Sequence, residues 1–228
     1  MSYILLSHQI DENTPLYGST PHIKISAHSQ IKNGDSSNSS IIEIHCHSGT
    51  HVDAPKHFVD DGKTISEFLL DQLIFKKPVI VDCPIDKTLL VKQEDLINYE
   101  NLLSKADCLL LRTGFEKFRS EEKYRLSNPG IGSDTIMWIR KLYPNIRCIG
   151  LDSISISSYQ HREEGRKAHR AAFKYMEESA PLLLIEDMHL STIDSSKLEM
   201  IFVLPWQIKG VDSTPCTVLA KMNEMGLY

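Results

Sequence analysis

The stretch "EIHCHSGTHVDAPKHF", Glu43 to Phe58, holds His45, His47, His51, His57 and Asp53, out of ten histidines in the whole chain. Imidazole nitrogen and carboxylate oxygen are the donors that suit Zn²⁺ and Mn²⁺, which need several of them converging on one point. Imidazole is also the side chain that most readily moves protons near neutral pH. The H-x3-H-x-D spacing of His47, His51 and Asp53 fits a turn that folds three ligands back on one another. Gly49 permits the tight backbone and Pro55 ends the irregular segment. If "SIIEIHCH" runs on as a strand, Glu43, His45 and His47 share one face and Cys46 takes the other. Taken singly, each histidine reads as well as a surface or hydrogen-bonded core residue. Their crowding around an aspartate and a glycine favours a metal site.

Elements capable of positioning such a site recur along the chain. "YILLS", "SIIEIHCH", "PVIVDC", "CLLLRTG", "RCIGLD", "PLLLIEDM", "MIFVLP" and "CTVLAKM" are short β-type runs, several nearly continuous in Val, Ile and Leu as in strands covered on both faces. Between them lie helical candidates: the short "SEFLLDQL", "KQEDLINYENLLSK", "SDTIMWIRKLYP" with Ser133 and Asp134 as caps, and "SSYQHREEGRKAHRAAFKYMEES", the longest, ended by Pro181. The polar "KNGDSSNSS" between apolar runs predicts a long hairpin loop rather than a domain boundary. Strands alternating with helices predict one α/β domain over residues 1–228, a mixed β-sheet with helices packed against it.

The 228 residues are 41% hydrophobic, enough for a full core, and the formal net charge of −5 argues against a nucleic-acid partner. Five cysteines, none in a CxxC pair, predict free thiols in a reducing compartment. With no apolar run of ~20 residues and no leader pattern, the expectation is a soluble cytoplasmic protein.

Outside the cluster, Glu186 falls inside the apolar "PLLLIEDM", where an unpaired carboxylate is costly. Either a metal ion or an ion pair with Arg112, in a similar run, would satisfy it. "NPGIGSDT" has a G-x-G before a helix but lacks the rest of a phosphate-loop signature, and is read as a loop turning into that helix.

"HSGTHVDAPKHF" resembles the signature of the cyclase-like metal-dependent hydrolase family, which includes kynurenine formamidases and isatin hydrolases. "LSHQIDENTPLYGSTP", "LLLRTG", "GLDSISIS", "AHRAAF" and "LLLIEDMHL" are similar to further family segments in the same order, so the resemblance covers most of the chain. It implies a swivelling β/β/α-type fold. It implies His47, His51, Asp53, His169 and Glu186 as metal ligands, with Asp53 and Glu186 bridging where two ions bind. The cofactor implied is Zn²⁺, one or two per chain, with Mn²⁺ as the alternative. His57 matches the family's proton donor and acceptor. His169 has a rival in His161 on the same helix, about 80° away around the axis. The span from His169 to Glu186 is longer than in formamidases, near the expected substrate site. A homodimer or higher homo-oligomer is implied as well.

The chemistry expected is metal-assisted hydrolysis of an amide-type C–N bond, with His57 moving the proton and a small molecule as substrate. A lactam, ester or lactone substrate, or a non-catalytic metal- or ligand-binding role, are the alternatives. Cys46 is read as a structural thiol and His45 as a surface residue or a support for a ligand. Pocket shape is expected from the N-terminal segment, "KNGDSSNSS" and "RSEEKYRLSNPG".

Overall fold

The computed structural model describes residues 2–85, 89–177 and 179–223. In chain order the strands are β1 (Ser2–Leu5), β2 (Lys24–Ser29), β3 (Ser39–Glu43), β4 (His51–Asp53), β5 (Ile74–Phe75), β6 (Pro78–Asp82), β7 (Leu90–Val91), β8 (Cys108–Arg112), β9 (Gly130–Ile131), β10 (Cys148–Leu151), β11 (Leu183–Glu186), β12 (Leu198–Pro205) and β13 (Ser213–Met222). The α-helices are α1 (Gln93–Leu96), α2 (Glu100–Leu103), α3 (Glu122–Leu126), α4 (Ser133–Leu142) and α5 (Arg162–Phe173).

The main sheet runs β5-β12-β13-β4-β11-β10-β8-β6, and β1 also pairs with β13. Its β6–β8–β10–β11 half is parallel, and the joints from β11 through β4, β13 and β12 to β5 are antiparallel. The long β13 pairs with β4 through its first residues and with β1 through its last. The sheet curls until β12 packs near β6. Side chains alternate across it, which creates two cores. Val52, Leu110, Cys148, Ile185, Val203 and Val218 fill the inside of the curl. Leu109, Leu111, Ile149 and Leu184 face outward beneath the helix layer, against Ile136 and Ile139 of α4 and Ala168 and Ala172 of α5. This is the mixed α/β architecture expected. No helix among the described residues is long and apolar enough to cross a membrane.

Several elements differ from expectation. "SIIEIHCH" stops being a strand at Glu43, where its antiparallel ladder with β2 ends at Lys24, so His45 and His47 belong to a turn. The β2–β3 ribbon does make the long hairpin around residues 32–38, closed by a 3₁₀ turn at Ile31–Asn33. "SEFLLDQL" forms two 3₁₀ turns, and the helix expected over 92–105 is broken at Ile97–Tyr99. Ser133 and Asp134 do not cap α4. Gly132 occupies the cap position, and the Ser133 N–H is met by Glu164 of α5 at 2.7 Å. Helix α5 is shorter than expected at both ends, because each flank is committed elsewhere. Before it, Asn128 donates to the Ser155 and Ser157 carbonyls and accepts from the Tyr159 N–H. After it, buried Arg140 takes the Ala171 and Lys174 carbonyls along with those of Ser179 and Ala180.

Candidate metal centre and active site

Strand register assembles the site. β4 and β11 pair with His51 opposite Glu186 and Asp53 opposite Leu184. Val52, Ala54 and Ile185 fill the inner core, so alternation turns His51, Asp53 and Glu186 together towards the helix layer. There α5 brings His169 down beside them. Its close approach depends on Gly165, where a Cβ would lie 2.2 Å from Ser157 Oγ and 2.8 Å from Ser157 Cα. The turn before β4 delivers His47 through Gly49, whose φ of +63° is open to glycine at no steric cost.

The ligand atoms converge closely. His47 Nδ1 is 3.0 Å and His51 Nε2 3.4 Å from Asp53 Oδ1. His51 Nε2 is also 3.4 Å from Glu186 Oε2, and His169 Nε2 is 3.5 Å from Glu186 Oε1 and 3.9 Å from Asp53 Oδ2. A tetrahedron of metal bonds of ~2.1 Å has corners about 3.4 Å apart, close to the spacing found.

Each of the three imidazoles is anchored through its other nitrogen. His51 Nδ1–H donates to the Gly49 carbonyl at 2.8 Å, and His169 Nδ1–H to the Gly165 carbonyl at 2.9 Å. A carbonyl only accepts, so the proton sits on Nδ1 and Nε2 is presented inward. His47 Nε2–H donates to Asp212 at 2.9 Å, which leaves Nδ1 towards Asp53. Among the described residues, His51 Nε2, His169 Nε2 and both Asp53 carboxylate oxygens are buried and have no hydrogen-bond partner. Leaving four such atoms pointing at one another costs several kcal/mol unless a cation lies between them. The donor set fits a divalent ion, and imidazole with carboxylate suits zinc and manganese alike.

The protonation pattern agrees. Burial opposes charge on His47, yet Asp53 and Asp212 carry its pKa up to about 11. Burial likewise opposes charge on His51 and His169, and the neighbouring carboxylates still raise both. Burial would raise Glu186, but His169 and His51 hold it at about 2, and the imidazoles hold Asp53 well below the usual carboxylate range. In the metal-free chain, a proton held on His47 supplies part of the positive charge that Asp53 and Asp212 favour.

His57 stands beside this group. Its Nδ1–H donates to Asp212 Oδ2 at 2.8 Å, so Nε2 is the ring nitrogen free for proton exchange. Asp212 thus bridges His47 and His57. The sequence reading missed Asp212. It sits one residue before β13, whose register sets Ser213 opposite Asp53, and its carbonyl accepts the Ala54 N–H at 2.9 Å. Also missed were the Ser155 hydroxyl and the Ile156 N–H, which bind Glu186 Oε1 at 2.9 and 2.7 Å.

A cavity of about 610 Å³ opens over the cluster. His45, His47, His51, His57, His169 and Glu186 lie along it, with Tyr17, Phe58 and Tyr159 as aromatic walls and Arg162 and Arg166 further out. Phe58 stacks on His169, centroids 4.7 Å apart. Of the three segments expected to shape the pocket, only the N-terminal one, through Tyr17–Thr20, reaches this cavity. The long segment after His169 does not line it, being held back on Arg140. Cys46 does not line it either, and burial pushes its thiol pKa up. His161 is exposed just before α5 and does not line the cavity. Arg112 pairs with Asp82 rather than Glu186. A second convergence, His8, Glu116 and His189, is a loop anchor, since Glu116 already accepts from His189, Ser191 and the Leu190 N–H.

Comparison with known proteins finds relatives of this chain and of its fold. Kynurenine formamidase of Sphingopyxis alaskensis is 25% identical over 218 residues, covering 95% of this chain and 96% of the relative. Isatin hydrolase A from Labrenzia aggregata superposes with a TM-score of 0.82 at 20% identity, covering 98% of this chain and 94% of that one. A structure described as a potential metal-dependent hydrolase with cyclase activity superposes at 0.75 with 22% identity, covering 98% of both chains. Residues 4–158 match the family described as Putative cyclase, which is more than half of the chain and takes in the whole His47–His57 turn. The chain belongs to the putative cyclase family.

Proposed function

We propose that this protein is a metal-dependent hydrolase that cleaves an amide-type C–N bond, a formamide or a cyclic amide, by attack of water. His47, His51, Asp53, His169 and Glu186 are the proposed ligands, and His57 is the proposed catalytic acid–base. The observation that carries the reading is the set of unpartnered buried atoms on His51, Asp53 and His169, directly beside a His57–Asp212 pair.

When bound, the cation supplies Lewis acidity, both for activating water and for polarising the scissile carbonyl. The residues supply the rest. Asp53 and Glu186 bring the negative charge that retains the ion. The anchored imidazoles fix its position without reorganisation. His57 accepts a proton at Nε2 while Asp212 stabilises the charged ring through Nδ1, and the same proton is then delivered to the departing nitrogen. No side chain in the cavity forms a covalent acyl intermediate in this scheme; Cys46 does not line it.

The relatives named kynurenine formamidase and isatin hydrolase support a C–N substrate. The test is metal per chain by elemental analysis, followed by turnover of aryl formamides and cyclic amides by protein loaded with Zn²⁺ or Mn²⁺. About one or two ions per chain with metal-dependent product release supports the reading. Protein that takes up no ion on reconstitution overturns it.

Assembly into a homodimer or larger is part of the proposal. Its support is the β2–β3 ribbon, where Ile25, Ile41 and Ile42 are exposed and two strands alone are marginally stable in water. Sedimentation analysis tests it. The five free cysteines support a reducing compartment.

A further inference from the structure

The hydrogen bonds that make His8, Glu116 and His189 a loop anchor leave one of its atoms unused. Glu116, in the 3₁₀ turn Phe115–Phe118, accepts the Leu190 and Ser191 N–H groups on Oε2, and the Ser191 hydroxyl and His189 Nδ1–H on Oε1. His8 Nε2 is buried 3.8 Å from that same Oε1. The separation is beyond hydrogen-bond reach, and among the described residues the atom has no hydrogen-bond partner. A neutral imidazole carries either a proton or a lone pair at this nitrogen, and here both go unmet.

Three separate segments bring these donors together. An antiparallel bridge between Ser7 and Met188 sets His8 beside His189, and the His189 N–H donates to the Leu6 carbonyl. The two rings lie with centroids 5.1 Å apart and planes inclined at 52°. One donor atom from each of His8, Glu116 and His189 falls within 4.8 Å of the others. Two ligands of one zinc-like ion stand about 3.4 Å apart in a tetrahedron and at most about 4.2 Å, so a small closure completes the geometry. His189 is 32% exposed, which gives an ion a way in and the ring room to turn. Asp187 is not a further ligand, because Arg119 and Tyr124 already hold its carboxylate. Burial lowers the His8 pKa, with Arg119 and His189 adding to the effect and Asp187 and Glu116 opposing it. The ring is therefore neutral at pH 7, the form in which imidazole binds a metal.

We infer that His8, Glu116 and His189 form a second divalent-cation site, which shares no residue with the central cluster and holds Zn²⁺ as a structural ion. Two imidazoles and one carboxylate select zinc-like ions over Mg²⁺ or Ca²⁺, which prefer oxygen donors. The ion takes the place of the proton between His189 Nδ1 and Glu116 Oε1, and the ring carries its proton on Nε2 instead. Glu116 keeps the Leu190 and Ser191 N–H bonds on Oε2, which hold its carboxylate in place. Water completes the shell from the exposed side of His189. The ion fastens two segments that lead to the central site. Thr50, next to His51, accepts the His8 N–H and donates to the carbonyl of Asp187, next to Glu186. The inference needs no substrate and does not rest on the hydrolase reading.

The experiment adds Zn²⁺ to chelator-treated protein and follows the histidine side chains by nitrogen NMR, for wild type, His8→Gln and His189→Gln. The two variants assign the rings. In wild type His8 Nε2 and His189 Nδ1 move to metal-bound positions as Zn²⁺ is raised, and Mg²⁺ moves neither. Once free metal is removed, elemental analysis finds about one Zn²⁺ per chain more in wild type than in either variant. Zn²⁺ also raises the Tm of wild type further than that of His8→Gln. His8→Gln removes no hydrogen bond made by Nε2 and keeps the backbone N–H bond to Thr50, so it folds. Should His189→Gln fail to fold, His8→Gln alone decides. A His8 resonance unmoved while His51 and His169 respond to Zn²⁺ overturns the inference. Equal zinc content in wild type and His8→Gln overturns it as well, and leaves a hydrogen-bonded anchor in which water meets His8 Nε2. If His8 and His189 respond while His51 and His169 do not, this site stands and the hydrolase reading fails.

Discussion

One oxygen of Asp212, Oδ2, lies 2.8 Å from His57 Nδ1 and 2.9 Å from His47 Nε2, so a single carboxylate orients both the proposed base and a proposed ligand. The two histidines respond differently to its loss. His57→Ala removes the base and leaves the ligands; it keeps its metal and turns over at least ~10²-fold more slowly. Asp212→Asn loosens both rings and lowers metal affinity as well as rate, each by about 10–100-fold. Kinetics with metal quantification separate the two. A His57→Ala variant with wild-type kcat would remove it from the mechanism.

Cation binding should expel protons. Burial opposes charge on His47, yet Asp53 and Asp212 raise it to about 11, so this ring holds a proton in the metal-free chain that the ion must displace. Affinity for Zn²⁺ therefore rises with pH, and calorimetry in buffers of different ionisation enthalpy at pH 7 reads at least about one proton released per ion. Proton-neutral binding would contradict this assignment.

The raised His47 and the depressed Glu186 predict that the metal-free chain is most stable on the acid side. His47 is raised to about 11, so its contribution is full below the unfolded value of ~6.5 and lost as pH climbs towards 11. Glu186 is depressed to about 2, so its contribution is full above ~4.3 and lost as pH falls through 2. Thermal melts of chelator-treated protein should peak between those limits. Saturating Zn²⁺ raises Tm increasingly as pH rises from 6 to 8.

Gly165→Ala tests the seating of α5. The new Cβ would meet Ser157 backbone and side chain at under 3 Å, and the Gly165 carbonyl holds His169. The expected cost is about 1–3 kcal/mol of stability, with weaker metal binding. An unchanged Tm and metal affinity would show that α5 can shift freely.

Arg140→Met tests the exit from α5. Arg140 is 1% exposed, and its guanidinium donates to four carbonyls, those of Ala171, Lys174, Ser179 and Ala180. Orphaning them costs on the order of 2–4 kcal/mol, read by denaturant unfolding. Metal-loaded kcat changes little, since this segment does not line the cavity.

The parts of the site legible in the sequence were those whose chemistry conflicts with their surroundings. Glu186 in an apolar run and four histidines around Asp53 stand out without a fold. Asp212 does not, because "KGVDSTPC" looks like any turn into a strand. Its role comes from pairing between β13 and β4, joining residues 155 apart, His57 and Asp212. The strand overread through His47 shows the converse. Alternation continues in the sequence, but a strand lasts only while its partner does, and Lys24, the first residue of β2, lies opposite Glu43. The β2 segment "KISAHS" itself carries little signal, since its side chains are exposed on both faces and no buried side marks its period. The length of α5 was misread because Asn128 and Arg140, distant in sequence, claim the backbone groups that would extend it.

The position of β13 in the sheet has a consequence for how the chain matures. It is the last strand described, yet it lies inside the sheet, with β12 on one edge and β4 and β1 on the other. On a ribosome, β4 emerges with its neighbour on that side still unmade, and Asp53 waits for Asp212 and Glu186 to be translated. Assembly of the candidate site is therefore a late event, complete only once Asp212 has been made.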